Sequence, residues 1–418
     1  MQWLLIFFYC SLICWGISKL NFFINSGIKI KWWISIFLFK VFIGIIYGLI
    51  HSQEYGGGDT LYGFTQGLRI YNTLPNNGIE IFFKLVFLPC HYPAYDGVEK
   101  WVYSSIAYGD ESYYFIIRLH ALMAIFSGGF YNVHVVFFNL LSFAGVAFLF
   151  SAFSHELQSK KSWILFALVL IPSVVFWTSG IHKDGLALLS LGMIFYSIKK
   201  RKKYSLTHFI PGIVGILLLF IVRSYILLII IPLILIYLLF KKREKNLIWL
   251  YSAGFLVFVL LILFITSISK TISPVNKLIW WQTAFNALDT TENTQFLPTL
   301  QPTAVSFLSI IPVAINHSFF QPEPWNAINL YQFIIGIQDY LLAIILLSLI
   351  VFSIIKRKVF SHLFFLSIGY CLLLYVLLGI IVPNLGALSR YKSTGTFFLC
   401  LSIISLIPVE WIKKYFKY

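Results

Sequence analysis

Asp59 directly follows three consecutive glycines, Gly56 to Gly58, at the end of an apolar segment. Because glycine lets the backbone turn sharply and approach a ligand closely, this pattern predicts a carboxylate that is free of helical constraint. Such a carboxylate could act as general base on a hydroxyl nucleophile, or it could bind a divalent metal ion. A flexible glycine turn that carries a solvated Asp is the alternative that the spacing leaves open.

A second polar motif stands after Pro172, where His182, Lys183 and Asp184 follow one another between two predicted helices. A tight helical hairpin needs only glycine and a polar residue at this place. Three consecutive ionisable residues therefore indicate a binding or chemical role. A Lys–Asp ion pair that merely fixes the loop is the alternative, and such surface pairs contribute little to stability.

Four further basic residues lie inside or beside apolar segments: Arg118, Arg223, Arg390 and Lys392. A charge at the centre of a membrane helix costs about 2.5–3.5 kcal/mol, so such residues are usually paired or face a polar cavity. Several cations on one face predict an anionic ligand, and phosphate or diphosphate suits arginine best. For each residue alone, anchoring to lipid headgroups is the alternative.

Lys40 differs from these cations because it lies within a predicted span. We interpret it as a structural residue that pairs with a buried acid such as Asp339.

Aromatic residues make up 19% of the chain, and two tryptophans stand beside polar residues, Trp281 next to Gln282 and Trp325 after Glu323. Aromatic belts at the membrane interface explain most of this content. The flat tryptophan faces would also suit a sugar ring, which has apolar C–H faces and a rim of hydroxyls.

The composition favours a membrane protein, since 59% of the residues are hydrophobic, 11% are charged and the mean hydropathy is +0.86. We predict an all-α polytopic bundle, with residues 1–418 forming one membrane domain. The net charge of +16 lies in short basic clusters between apolar segments, so it indicates topology and no nucleic-acid partner. The five cysteines have no metal-ligand or disulfide-framework spacing.

About eleven spans are predicted, because a bilayer core needs roughly 20 apolar residues per helix. They lie near residues 3–18, 33–51, 130–153, 163–178, 184–198, 206–222, 226–240, 247–266, 334–355, 360–382 and 396–412. If successive spans cross the membrane in alternating directions, all the basic clusters fall on one side of the membrane. By the positive-inside rule that side is cytoplasmic. The chain is then a protein of the bacterial inner membrane, with its N-terminus outside and its C-terminus inside.

Two long outer segments, 52–129 and 267–333, remain in this topology. The outer side also receives these acidic residues: Glu54, Asp59, Glu80, Asp96, Glu99, Asp110, Glu111, Asp184, Asp289, Glu292 and Glu323. The apolar stretches 79–90, 113–127 and 304–320 within the outer segments are too short or interrupted to span reliably, so we expect them to lie in the interface or to dip into the membrane and return. Together these features predict a polar site on the outer face.

Three short elements resemble those of known membrane proteins: Gly58-Asp59 with Tyr62, the polar turn after Pro172, and Arg390-Tyr391-Lys392. The chain resembles polytopic exopolysaccharide-locus proteins of the EpsG and O-antigen polymerase type. It is similar, more distantly, to GT-C glycosyltransferases, whose catalytic acid lies on the first outer loop beside a membrane span.

The resemblance implies transfer of a sugar or a growing glycan from a polyprenyl phosphate or diphosphate donor to an acceptor on the outer face. Asp59 would be the base that activates the acceptor hydroxyl. The donor phosphates would be held by Lys183, Arg223, Arg390, Lys392 and Arg118, and the sugar rings would be positioned by Tyr62, His182, Asp184, Trp281 and Trp325. A divalent metal is an open alternative, and no other cofactor is implied.

The partners expected on this basis are a polyprenyl-linked sugar or oligosaccharide, membrane lipid and other polysaccharide-assembly proteins. Two other functions stay open. A flippase for lipid-linked glycans would place charged groups through the membrane depth along a cavity. A non-catalytic scaffold subunit would use the outer polar residues for docking.

Overall fold

The computed structural model of the chain describes residues 1–54, 57–88, 111–199, 206–268, 273–288 and 294–408. Five of the predicted outer acids lie outside these residues: Asp96, Glu99, Asp110, Asp289 and Glu292. The same holds for parts of the predicted segments 52–129 and 267–333, and for the end of the last predicted span.

The secondary structure of the described residues is helical, as the sequence predicts. In chain order the α-helices are α1 (Gln2–Lys19), α2 (Asn21–Ile24), α3 (Ile30–Glu54), α4 (Gly58–Asn77), α5 (Ile79–Phe87), α6 (Glu111–Ser127), α7 (Tyr131–Phe153), α8 (Lys161–Val169), α9 (Pro172–Ser179), α10 (Lys183–Lys199), α11 (Leu206–Phe240), α12 (Leu247–Ile268), α13 (Pro274–Leu288), α14 (Ala304–Phe320), α15 (Leu330–Ile355), α16 (His362–Ile381), α17 (Leu385–Tyr391) and α18 (Ser393–Leu406).

Six stretches of the described residues are long and apolar enough to cross a membrane: Gln2–Lys19, Ile30–Gln53, Tyr131–Phe153, Phe209–Phe240, Leu330–Ile355 and His362–Ile381. A seventh is added if Gln158–Val169 and Pro172–Ser179, which are bent by 58° at a short break, form one span. These apolar helices are compatible with a helical membrane protein. The figure of about eleven spans is not confirmed and stays a prediction.

Two regions contribute to this difference in number. In α11 two helices, which correspond to the predicted spans 206–222 and 226–240, meet at a kink at Arg223, whose backbone leaves helical geometry (φ −152°, ψ 65°), and Phe209–Phe240 counts as one stretch above. The predicted span 184–198 corresponds to α10, which has 17 residues and is therefore short for a crossing.

The three interrupted apolar stretches form the helices α5, α6 and α14, of 9, 17 and 17 residues. Each is shorter than the roughly 20 residues that a crossing needs. Their lengths agree with the expectation that these stretches do not span, while their place in the interface stays a prediction.

The chain divides into two compact units, and we describe each by itself. Unit 1 comprises residues 1–155 and 175–224, and unit 2 comprises residues 156–174 and 225–418.

Close helix packing in unit 1 depends on glycine. A Cβ atom on Gly44 of α3 would lie 2.6 Å from both the Ser179 carbonyl oxygen and the Asn139 side-chain nitrogen. Helices α7 and α10 pack along each other, and a Cβ atom on Gly192 would lie 2.7 Å from the Gly145 carbonyl oxygen. The missing side chains let these backbones approach to a distance that larger residues would prevent.

In unit 2, α16 packs against both α14 and α18. Two buried hydroxyl pairs join α16 to α18: Tyr370 with Thr394, 3.0 Å apart, and Tyr375 with Thr396, 2.8 Å apart. Each hydroxyl thereby has a partner within an apolar interior, where an unpaired polar group would be costly.

We predict that Gly44→Ala lowers the thermal unfolding temperature of the purified protein in detergent or nanodiscs, with a loss of about 1–3 kcal/mol typical of overpacking. The matched control is Gly16→Ala, since a Cβ atom at Gly16 meets nothing within 4 Å. Equal unfolding temperatures for the two variants would contradict the close approach at Gly44.

Candidate functional site

The candidate site of unit 1 contains a chain of buried polar contacts. The His182 Nε2 and Tyr47 hydroxyl oxygen are 2.6 Å apart, and His182 Nδ1 lies 2.8 Å from Asp184 Oδ2. The other carboxylate oxygen of Asp184 accepts from Arg223 Nη2 at 2.6 Å. All four residues are at most 6% exposed. The Asp184 carboxylate and the Arg223 guanidinium are thus removed from water and stabilise each other.

The backbone explains how two of these residues meet. Asp184 lies in the first turn of α10, where the helix dipole favours a negative charge. Arg223 lies at the non-helical position of α11, at the place where the sequence predicted a turn. The pairing of Arg223 with Asp184 gives the buried guanidinium a charged partner, as the cost of a charge in an apolar environment requires.

Tyr47 connects this network to two further helices. Its hydroxyl lies 3.1 Å from Thr60 Oγ1 in the first turns of α4, and its ring is stacked on His51, with centroids 3.9 Å apart. The His51 Nδ1 lies 3.0 Å from the Tyr47 carbonyl oxygen. Because a carbonyl can only accept, Nδ1 carries the proton and the basic lone pair of neutral His51 is on Nε2.

Asp59, the predicted base, is exposed and lies in the first turn of α4. The glycine turn before it is confirmed, since Gly57 and Gly58 have φ values of 94° and 47°. The prediction that Asp59 is free of helical constraint is wrong, because the helix begins at Gly58 itself. The turn needs glycine at position 57, where a Cβ atom would also lie 2.5 Å from the Leu61 side chain.

Tyr113 of α6 brings three of the predicted site residues together. Its hydroxyl donates to the Asp59 carbonyl oxygen at 2.8 Å, its ring lies 5.8 Å from the Tyr62 ring, and the Lys183 Nζ lies 5.2 Å from its centroid. The Lys183 ammonium also donates to Ser112 Oγ at 2.5 Å. Lys183 is half-buried, unlike the fully buried Arg223, so its charge is the more accessible of the two.

Arg118, a predicted phosphate ligand, is half-buried in α6. Its guanidinium donates to the Leu88 carbonyl and lies 3.9 Å from the Tyr114 ring centroid. Its Nε is buried and has no hydrogen-bond partner among the described residues. These contacts hold Arg118 against α5 and against its own helix.

Lys40 does not pair with Asp339, contrary to the interpretation of the sequence. Its ammonium is fully buried and donates to the Thr178 hydroxyl at 2.9 Å and to the Ser179 hydroxyl at 3.1 Å. Its partners are therefore uncharged hydroxyls near the end of α9. The structural role predicted for Lys40 fits this geometry, whereas the named partner was wrong.

In unit 2, the partner of Asp339 is Lys392. The Lys392 ammonium is fully buried and lies 2.5 Å from Asp339 Oδ2 and 3.0 Å from the carbonyl oxygens of Ser318 and Gln321. An ammonium has three N–H donors, and these three oxygens use all of them. This geometry does not fit the predicted phosphate contact of Lys392, which would need a free donor.

The Asp339 carboxylate also accepts from Gln338 Nε2 at 3.0 Å, and the same amide nitrogen donates to Ser173 Oγ at 2.9 Å. The network of unit 2 therefore joins α15 to the chain before α18 and to the first turn of α9. We interpret it as a hydrogen-bond network that stabilises the packing of this unit.

The remaining predicted residues of unit 2 have separate neighbours. Arg390 is half-buried and donates to the Tyr391 hydroxyl at 3.2 Å. The Trp281 ring lies 5.2 Å from Lys277 Nζ, while Trp325 is 68% exposed and its ring lies 5.3 Å from Tyr340. The exposed Trp325 face is available to a ligand or to lipid headgroups.

The predicted residues thus fall into two sets. Unit 1 holds Asp59, Tyr62, Arg118, His182, Lys183, Asp184 and Arg223, and unit 2 holds Trp281, Trp325, Arg390 and Lys392. Among the residues that the structure describes, no group of three or more His, Cys, Asp or Glu side chains could hold a metal ion.

The sequence analysis missed Tyr47, Thr60 and Tyr113, which link the predicted residues. They are single residues among 24 tyrosines and many threonines, and no spacing marks them out. The only signal available was their position near the outer ends of predicted apolar segments.

Comparisons of this chain with protein-family models, with curated proteins and with solved structures find no match.

We predict that Asp339→Leu and Lys392→Met each destabilise the protein by about 3–5 kcal/mol, because each leaves one buried charge without its partner. The double variant, in which both charges are replaced by apolar side chains, should recover most of the loss. Thermal unfolding of the four proteins in nanodiscs measures this coupling. Strictly additive losses in the double variant would contradict a structural ion pair.

Proposed function

We propose that the chain is a membrane glycosyltransferase or polysaccharide polymerase that uses a polyprenyl-(di)phosphate-linked glycan on the outer face of the inner membrane. The observation that supports this best is the grouping around Tyr113, whose hydroxyl donates to the backbone carbonyl of the exposed Asp59 and whose ring lies near Tyr62 and Lys183. A carboxylate, an aromatic face and an accessible ammonium are the groups that transfer from a phosphate-linked sugar needs.

In this reaction Asp59 takes the proton of the acceptor hydroxyl, whose oxygen bonds to the anomeric carbon of the donor sugar. The bond from that carbon to the phosphate oxygen breaks, and the phosphate leaves with the electron pair. The Lys183 ammonium stabilises the charge that develops on this oxygen. Tyr62, whose ring faces Tyr113, positions the sugar ring.

The cations of unit 1 contribute unequally in this proposal. Arg223 is buried and bound to Asp184, so it acts by holding that carboxylate in position. Lys183 is half-buried and bound to hydroxyl and aromatic groups. It therefore becomes the main phosphate ligand among the described cations of unit 1, with Arg118 as a second candidate.

The membrane topology is part of the proposal: an inner-membrane protein of about eleven spans with its N-terminus outside. The glycine turn and α4 then lie on the outer face. The basic cluster Lys241 to Lys245 supports this orientation, since it follows α11 and fits the cytoplasmic side.

We predict that a cysteine placed at Glu80 reacts with a membrane-impermeant maleimide in intact cells, whereas one placed at Lys242 reacts only after permeabilisation. Both are made in a variant in which the five native cysteines are replaced by serine. Reaction of both positions from the same side would contradict this topology.

A flippase for lipid-linked glycans is the second candidate function. It is favoured by the ionisable residues buried within unit 1, Lys40, Asp184 and Arg223, each at most 6% exposed. Buried charges of this kind in membrane proteins mark substrate or ion pathways. The side on which the lipid-linked precursor accumulates in a deletion strain separates the two functions: the outer side for a transferase, the inner side for a flippase.

We predict that Asp59→Asn abolishes synthesis of the long surface glycan and causes its lipid-linked precursor to accumulate outside, in a deletion strain complemented with the variant. Loss of a general base typically costs a factor of about 100 to 10,000. The matched control is Glu80→Gln, which neutralises an exposed acid that pairs with Lys84 in the same outer segment.

Membrane levels of both variants are measured by immunoblot. Normal glycan in the Asp59→Asn strain, with protein at the wild-type level, would reject the proposed function.

A further inference from the structure

The geometry points to a proton relay of Thr60, Tyr47 and His182, in which His182 holds the proton released at the proposed transfer site. This inference rests on the proposed function, which supplies the proton. It concerns positioning residues that lie beside the site and that the sequence analysis did not connect.

The chemistry of the four side chains sets the direction of each hydrogen bond. Asp184 is bound to Arg223 and its carboxylate can only accept, so His182 Nδ1 carries a proton and donates to it at 2.8 Å. In neutral His182 the Nε2 is then an acceptor, and it receives the Tyr47 hydroxyl proton at 2.6 Å. With its only proton used, Tyr47 accepts from Thr60 at 3.1 Å.

The same side chains can also hold one more proton. When His182 is an imidazolium, Nε2 also donates, so Tyr47 accepts from it and turns its own proton to Thr60 Oγ1. Every contact remains satisfied with no change in heavy-atom positions. Two complete hydrogen-bond arrangements that differ by one proton are what a relay requires.

The charges around His182 stabilise this additional proton. In the neutral arrangement the Asp184 carboxylate and the Arg223 guanidinium cancel. Protonation adds one positive charge, which Asp184 stabilises at 2.8 Å. Among the described residues, the other ionisable groups that face His182 include Tyr47 from α3, Lys183 beside it in the chain, and His120 from α6, which interacts electrostatically with it.

Thr60 connects the relay to the proposed transfer site. Thr60 follows Asp59 directly in α4, and both lie in the first turns of that helix. Asp59, which has taken the acceptor's proton, passes it to Thr60 Oγ1, Thr60 passes its own proton to Tyr47, and Tyr47 passes its own proton to His182 Nε2. Each hydroxyl oxygen then loses one bond to hydrogen as it gains another, Asp59 returns to a carboxylate and His182 becomes an imidazolium. The imidazolium later returns the proton along the same path to solvent or to the departing phosphate.

The test uses isolated membranes that carry the full chain, in which the rate of glycan transfer is measured across pH 5 to 9. Tyr47→Phe removes the relay hydroxyl and keeps the ring that stacks on His51. The matched control is Tyr131→Phe, because the Tyr131 hydroxyl is buried in the same unit and has no hydrogen-bond partner among the described residues.

We expect Tyr47→Phe to lower the rate at least about tenfold, at the low end of what proton transfer contributes to catalysis, and to change the pH profile. Tyr131→Phe should leave both unchanged. A wild-type rate and pH profile in Tyr47→Phe would overturn the relay. If Asp59→Asn is inactive in the same membranes, the proposed function survives that result; if Asp59→Asn is also fully active, both proposals fail.

A second measurement does not depend on activity. In ¹⁵N-histidine-labelled protein in nanodiscs, with the signals of His182 assigned by His182→Gln, the neutral ring should show a protonated Nδ1 and a bare Nε2. Tyr47→Phe should shift the Nε2 signal alone. A protonated Nε2 in neutral His182, or an unchanged Nε2 signal in Tyr47→Phe, would overturn the relay.

Discussion

The ion pair of Asp184 and Arg223 is the contact on which the candidate site depends. Both side chains are buried and lie 2.6 Å apart. Each charge therefore offsets the desolvation free energy that the other would have as an unpaired charge in an apolar environment. Unit 2 meets the same constraint with Asp339 and Lys392, 2.5 Å apart. Each of these two pairs sets a buried carboxylate against a cation, whereas the buried Lys40 ammonium is bound to hydroxyl groups.

The two pairs nevertheless differ in what surrounds them. Lys392 uses all its donors on Asp339 and on backbone carbonyls, which leaves no N–H donor to bind a ligand. Asp184 instead shares its carboxylate between Arg223 and His182, and His182 continues to Tyr47 and Thr60. The Asp339–Lys392 pair is therefore structural. The Asp184 network instead ends at Thr60, next to Asp59 in the chain, and contains the ionisable imidazole of His182.

The sequence predicted the fold class because apolar segments of sufficient length are visible without any tertiary information. It placed α1, α3, α7 and α16 within a few residues, and it marked Arg223 as a break. It could not show that Asp59 is helical, since three glycines favour a loop and only the φ values of Gly57 and Gly58 reveal where the helix begins.

Side-chain partners were harder to predict than helices. Asp184 and Arg223 are 39 residues apart, and Asp339 and Lys392 are 53 residues apart. The position of such a residue within or beside an apolar segment predicts its depth in a membrane. It does not predict which of several acids lies against which cation. For the same reason Lys40 was assigned the wrong partner, and the linking role of Tyr47 gave no signal in a chain with 24 tyrosines.

The central claim is that unit 1 binds a phosphate-linked polyprenyl donor through Lys183. The most direct measurement is native mass spectrometry of the purified protein titrated with polyprenyl phosphate, comparing wild type with Lys183→Met and with the control Lys84→Met. The account predicts binding at least about tenfold weaker in Lys183→Met, a difference of about 1.4 kcal/mol, and no change in Lys84→Met. Equal binding by all three proteins would contradict it.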